Sequence, residues 1–110
     1  MSTQKETIEF ILEKLKDKRR FSARAMFGEY ALYAEGKVVA LVCNDQLYVK
    51  VVPASKVLEK ICDTDSPYPG AKPHYVVEES MLSTMDELPD ILLEISKSLP
   101  AKKIRKKART

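Results

Sequence analysis

Two short interruptions, Glu35-Gly36 and Asn44-Asp45, cut an otherwise apolar stretch into segments only as long as strands. They constrain this chain more than any other feature. Glycine, Asn and Asp tolerate the positive φ that two-residue hairpin turns demand, so residues 24 to 50, RAMFGEYALYAEGKVVALVCNDQLYVK, read as a tight antiparallel meander. Closing the second turn by pairing Cys43 with Gln46 sets Val42 opposite Leu47, Ala40 opposite Val49 and Val38 opposite Val51. Closing the first by pairing Ala34 with Lys37 adds Ala31 and Tyr33 to that face. The other face then carries Tyr30, Leu32, Val39, Leu41, Tyr48 and Lys50. Side chains alternate with period two, and here both faces are apolar, so a one-residue slip would leave no polar residue stranded. A sheet apolar on both sides must be covered on both sides, by helices, by a partner, or by each in part.

The flanking segments supply helices. Thr3-x-x-Glu6 matches a capping box, and Ile8, Ile11, Leu12 and Leu15 follow at helical spacing, which predicts an amphipathic helix over residues 4 to 18. Phe10 lies off that stripe, either tucked against the sheet edge or open to a partner. Lys14, Lys16, Lys18, Arg19 and Arg20 complement the helix dipole at its end and read as a solvated terminus. Beyond the meander, Pro53 ends the strand, and residues 54 to 62 place Val57, Leu58 and Ile61 on one helical face. Residues 63 to 73 hold three prolines and a glycine, too many breakers for regular structure, and predict an ordered crossing loop. The isomer at Pro67 and Pro69 is left open. His74-Tyr75-Val76-Val77 reads as a further strand. Leu88, Ile91, Leu92, Ile95 and Leu99 stripe a final helix, with Asp86 as its expected cap and Pro100 as its stop. The expected fold is α+β: an antiparallel meander of about five strands, packed by helices from both ends of the chain. Ala31 and Ala40 are expected to leave a shallow trough where a helix approaches closely.

Chemistry is sparse. The single histidine, His74, excludes any site needing two, and it reads as a structural or exposed ring. Cys43 and Cys62 are too far apart for a CxxC motif and form no recognisable zinc framework. They read as a buried strand thiol and a helix thiol. The three glycines, Gly28, Gly36 and Gly70, are isolated and build no phosphate cradle. Gly28 reads instead as a bulge or bend between strands. The carboxylate pairs Glu78-Glu79 and Asp86-Glu87 sit at helix starts, where they serve the dipole. No catalytic residue, cofactor or metal is expected, and enzyme is the disfavoured class. Without an export signal or an apolar run approaching the ~20 residues of a membrane span, the expected location is the cytoplasm.

The residues Met26-Phe27-Gly28-Glu29-Tyr30, Leu32-Tyr33, Gly36-Lys37-Val38-Val39-Ala40 and Asp45-Gln46-Leu47-Tyr48-Val49-Lys50, with the later Tyr68-Pro69-Gly70-Ala71-Lys72-Pro73, resemble the amino-terminal domain of the TfoX/Sxy family. The resemblance runs over roughly residues 3 to 100. The family is named for bacterial regulators of DNA-uptake competence genes, and its longer members carry a second, carboxy-terminal domain for which 110 residues leave no room. The resemblance supplies no catalytic residues. It implies a non-enzymatic regulatory or adaptor domain acting through protein contacts with the transcription apparatus, the partner being a protein such as a transcription factor. Tyr30, Leu41, Tyr48 and Lys50 are the candidate partner surface, since tyrosine is enriched at interfaces; a covering helix and self-association as a homodimer are the alternatives for that face.

A second class rests on charge. The formal net charge is +3, yet residues 101 to 110 hold six of the nineteen Lys and Arg and no acid. The remaining hundred residues therefore carry thirteen basic groups against sixteen acidic ones. We read residues 1 to 100 as the folded domain and residues 101 to 110 as a basic, disordered tail. Lys102, Lys103, Arg105, Lys106, Lys107 and Arg109 offer no aromatic for stacking and no reading helix, so any nucleic acid they hold is held by charge, without sequence preference. A small ligand-binding protein or enzyme is the third class. Shortening the chain to end at Pro100 should leave folding intact and remove nucleic-acid affinity. With all six cations on phosphates, log affinity should fall against log salt with a slope of about −5, at ~0.9 per contact. A shortened chain that still binds DNA would place the binding in the folded domain.

Overall fold

A computed structural model describes residues 3–16, 20–26 and 29–99. The tail cations at 102 to 109, the helix stop at Pro100, the Gly28 bend, and Lys18 and Arg19 of the first helix end lie outside the described residues. The elements in chain order are α1 (Lys5–Leu15), β1 (Phe21–Met26), β2 (Glu29–Ala34), β3 (Lys37–Cys43), β4 (Gln46–Lys50), a 3₁₀ segment (Pro53–Lys60), β5 (Thr64–Asp65), β6 (His74–Val77), α2 (Glu79–Thr84) and α3 (Leu88–Ser98). The fold is α+β, with one six-stranded sheet ordered β1-β2-β3-β4-β6-β5 and every neighbouring pair antiparallel.

Both interruptions are two-residue hairpin turns. Glu35 and Gly36 have φ of 52° and 82°, and Asn44 and Asp45 have 53° and 60°. Positive φ at both central residues is the type I′ geometry, whose twist matches that of the strands it joins. The β3–β4 register follows from its turn as expected: Cys43 pairs with Gln46, Val42 with Leu47, and Ala40 with Val49. Pairing stops before Val38 and Val51, because β4 ends at Lys50.

The β2–β3 register departs from expectation. Ala34 pairs with Lys37 and Tyr33 with Val38, but Leu32 then pairs with Ala40 and Tyr30 with Val42, leaving Val39 as the extra residue of a β-bulge. Val39 and Ala40 are both fully buried in the main core, so the bulge turns two successive side chains to one side. It also exchanges the faces of β2. Leu32, Ala34 and Tyr30 pack with the main core, whereas Ala31 and Tyr33 lie opposite, with Leu41 and Tyr48. Ala31 and Ala40 therefore share no trough. The small residues beneath the helices are Ala34 and Ala40, and α3 packs across β2 and β3 there.

Every described helical element lies on that one face. Ile8, Ile11 and Leu15 of α1, Leu58 of the 3₁₀ segment, Leu82 of α2, and Leu88, Ile91, Leu92 and Ile95 of α3 all join the main core. The stripes of α1 and α3 were legible at helical spacing. Residues 53–60 form a 3₁₀ turn, whose tighter period leaves Leu58 inside and exposes Val57 and Ile61. Ser55 anchors it: its Oγ donates to the Lys50 carbonyl and accepts from the Val52 amide. The short α2 begins at the Glu78-Glu79 pair, where a helix start was expected, and β5 brings the sheet to six strands. Asp86 is not a cap; Glu87 occupies that position without a side-chain cap bond, and Pro89 sits in the first turn. The peptide bonds preceding Pro67 and Pro69 are trans.

Thr3 and Glu6 form no capping box. The residue before α1 is Gln4, and its amide donates to Asp45 Oδ1 at 2.7 Å, as does the Thr7 hydroxyl at 2.8 Å. The Thr3 hydroxyl instead accepts from the Asp45 amide and lies within donating distance of the Glu29 carboxylate and the Val42 carbonyl. A carboxylate from the β3–β4 turn thus caps α1. At the other end of β3, Lys37 Nζ donates to the carbonyls of Ser96 and Leu99, at 2.9 and 3.0 Å, closing the end of α3. Both charges have the sign the helix dipole favours.

Leu47 is 1% exposed beside the β3–β4 turn. Leu47→Ala should cost ~2–5 kcal/mol, which lowers the melting temperature by roughly 8 °C or more in a domain of this size. Phe10→Ala, at a half-buried rim position, should shift it less; equal small shifts would place Leu47 outside the core. The Gln4 amide and then the Thr7 hydroxyl hold the Asp45 carboxyl below its ordinary range. A depressed folded pKa stabilises the fold fully above the unfolded value of about 3.9, and that contribution is lost as pH falls through the lower folded value. Asp45→Asn keeps a residue tolerant of positive φ but removes the charge. The wild-type advantage in denaturant should be present at pH 7 and disappear below the carboxylate range; a gap independent of pH would show that the charge contributes nothing.

Candidate functional site

The sheet face opposite the helices is the candidate site. Cα partners share a face, so the register assembles it in rows. One row runs Arg24, Ala31, Leu41, Tyr48 and Val76 across β1, β2, β3, β4 and β6. Toward the β2–β3 turn lie Ser22, Tyr33 and Val38, with Lys50, His74 and Asp65 on the far strands. Toward the β3–β4 turn lie Met26, Glu29, Cys43 and Gln46.

Of the expected partner surface, Leu41, Tyr48 and Lys50 occupy this face. Tyr30 does not: the bulge at Val39 turns it to the main core. Arg24 and Tyr33 replace it. Their membership was hidden because the apolar run KVVALVC gives no sign of an extra residue, and the face of β2 follows from that residue alone.

The crossing loop covers one end of the face. Pro67 is buried and Tyr68 is half-exposed, and with Met26, Glu29 and Cys43 they line a cavity of about 440 Å³. The loop holds its own shape: the Ser66 amide donates to Asp65 Oδ1, the Ser66 hydroxyl to the Ala71 carbonyl, and the Ala71 amide to the Tyr68 carbonyl. His74 Nδ1–H donates to the Lys72 carbonyl at 2.8 Å, a structural role for the ring. Gln46 Nε2 donates to the Val77 carbonyl and ties β4 to β6.

Ala31, Leu41 and Cys43 are buried at the centre, while Tyr33, Val38, Tyr48 and Lys50 are partly exposed around them. Burial, then the Glu29 charge, raises the Cys43 thiol pKa; burial, then Asp63, raises that of Cys62. Neither is poised as a thiolate nucleophile. Both are unpaired. Burial raises the Tyr48 phenol pKa, with smaller contributions from Asp65, Cys43 and Glu29. Burial alone lowers the Lys50 ammonium pKa. Arg24 stacks over the Tyr33 ring at 5.8 Å.

On the helix-bearing side, a cleft of about 340 Å³ lies between α1, α2 and the β3–β4 turn, lined by Glu6, Thr7, Phe10, Asp45, Gln46 and Glu79 among others. Phe10 packs against the rim of the main core, with Lys14 Nζ 5.3 Å from its ring centre. Among the described residues no three His, Cys, Asp or Glu side chains converge as metal ligands. No described helix is long and apolar enough to cross a membrane.

The sequence of this sheet and its flanking helices matches a known family. The TfoX N-terminal domain family model matches residues 13–94. A relative from Spirochaeta aurantia, described as an "Uncharacterized 12.7 kDa protein in trpE 5'region", is 31% identical over 106 residues, covering 96% of this chain and 91% of the relative. The matched span runs from the second half of α1 through most of α3 and so takes in the whole sheet with its bulge and crossing loop. The chain belongs to the TfoX N-terminal domain family.

Proposed function

We propose that this chain is a non-enzymatic regulatory or adaptor domain that acts by docking a protein of the transcription apparatus on its helix-free sheet face. The observation that carries this reading is the one-sided placement of the helices. All of the described ones pack on the main core, leaving a face of Leu41, Val38, Tyr33 and Tyr48 that is covered, among the described residues, at one end only, by the Pro67 loop. Tyrosines there join an apolar body to a polar tip, the pairing that interfaces favour. Family membership supports a TfoX-like domain, and the regulatory role is what the family's namesakes suggest. The sparse chemistry agrees: the thiols are held protonated and His74 is tied to the crossing loop.

Tyr48→Ser tests the reading. Tyr48 sits at the edge of the small second cluster and not in the main core. The variant should keep its far-ultraviolet spectrum and cooperative melting while losing partner capture in a pull-down from native lysate. A variant that unfolds outright would make this face ordinary core and remove the proposal.

A further inference from the structure

The helix-free face carries cations that the fold leaves without carboxylates. The ion pairs among the described residues are Arg20–Glu35 and Glu94–Lys97, so neither Arg24 nor Lys50 is within ion-pair distance of an acid. Arg24 is exposed and stacks on Tyr33. Lys50 is half-buried. The acids on this face are committed or remote. Glu29 accepts from the Asn44 amide and lies against the Thr3 hydroxyl; Glu35 pairs with Arg20; Asp65 stands on the outermost strand, beyond His74. A half-buried ammonium without an anion is an incomplete arrangement, because the desolvation it has suffered is not offset by a partner charge.

The two cations flank an apolar strip. Between Arg24 on β1 and Lys50 on β4 lie Leu41 and Val38, with Tyr33 and Tyr48 on either side. Resting on the docking reading above, we propose that the occupant of this face is an acidic, extended segment of a partner protein, with carboxylates at positions i and i+4 and an aliphatic residue between them. Three strand spacings and one two-residue step separate Arg24 from Lys50 at the backbone, about 16 Å. An extended segment sets i and i+4 on one side about 13 Å apart, and the long Arg and Lys side chains close the difference. The residue at i+2 then faces Leu41. Single-stranded nucleic acid fits less well. Its phosphates repeat along the whole strand, whereas this face offers, among the described residues, two cations outside any ion pair, with Glu29 and Asp65 at opposite ends, and its centre is aliphatic.

The test is a titration of the full ¹⁵N-labelled chain, followed by amide NMR, with the blocked peptide Glu-Thr-Val-Thr-Glu, its Gln-Thr-Val-Thr-Gln counterpart, and oligothymidylate. The acidic peptide should move the amides of Arg24, Leu41, Tyr48 and Lys50, saturably and with loss on added salt. The Gln peptide should move them at least several-fold less, and Lys50→Glu, which should keep a dispersed folded spectrum, should abolish the response. Equal shifts from the Gln peptide, no shifts from the acidic one, stronger shifts from oligothymidylate, or shifts that follow protein concentration alone would each overturn the proposal. If the acidic peptide fails while Tyr48→Ser still loses its captured partner, the docking reading stands and only its acidic chemistry is lost. If Tyr48→Ser captures as well as wild type, the docking reading fails first.

Discussion

Strand β3 and the two turns that bound it are the constraint on which the rest of the structure depends. The type I′ turns at Glu35-Gly36 and Asn44-Asp45 fix which residues leave the strand at each end. At one end Lys37 closes the carboxyl end of α3, and just past the other Asp45 caps the amino end of α1. A hairpin thus sets the position of two helices that are more than seventy residues apart in sequence. The charge at each end has the sign that the helix terminus favours, so exchanging the ends would be penalised twice. The hydrophobic core alone would not specify this arrangement, because apolar burial is not directional. The caps supply the missing direction.

What was legible in the sequence follows from how local each cause is. The β3–β4 register rests on a turn beside it and could be read from Asn44-Asp45. The stripes of α1 and α3 rest on spacing within one helix and were equally plain. The caps could not be read, since Asp45 lies some forty residues from the Gln4 amide and Thr7 hydroxyl it serves, and Thr3 offered a plausible local substitute that the structure uses to brace the hairpin. The 3₁₀ turn after β4 escaped because Val57, Leu58 and Ile61 suit an α-helical face, and the tighter geometry shows only in backbone bonds three residues back, from the Ser55 amide to Val52 and from the Ile61 amide to Leu58.

The bulge at Val39 is the instructive failure. Side-chain faces in a strand are counted by parity, and one extra residue reverses the count for everything beyond it. In a strand with one polar face the error would reveal itself at once. Here Val38, Val39, Ala40, Leu41 and Val42 are apolar throughout, so the sequence tolerates either count. The bulge moved Tyr30 to the main core and brought Tyr33 to the open face, altering one position of the candidate surface while leaving Leu41, Tyr48 and Lys50 in place. The candidate site was therefore legible on β3 and β4, where the turn guards the register, and not on β2, where the bulge intervenes.

That same ambiguity bears on why the open face is built as it is. A sheet face left uncovered at one end must limit its apolar exposure, and this one does so with residues that are apolar only in part. Tyr33 and Tyr48 present ring bodies with hydroxyl tips, and Lys50 lies half-buried beside them with its long methylene stem. Ala31 and Leu41, which have no polar end, are the buried members beneath them. The helix-bearing face is mostly aliphatic, with Phe21 and Tyr75 among its buried members and few polar groups inside. Two apolar faces of one sheet thus differ in the residues that border them: one is sealed by the protein's own helices, and the other is rimmed with groups able to exchange water for a partner at modest cost. The crossing loop sharpens the distinction, because Pro67 and Tyr68 line the end of the face at Met26, Glu29 and Cys43, and neither Arg24 nor Lys50 lines that cavity.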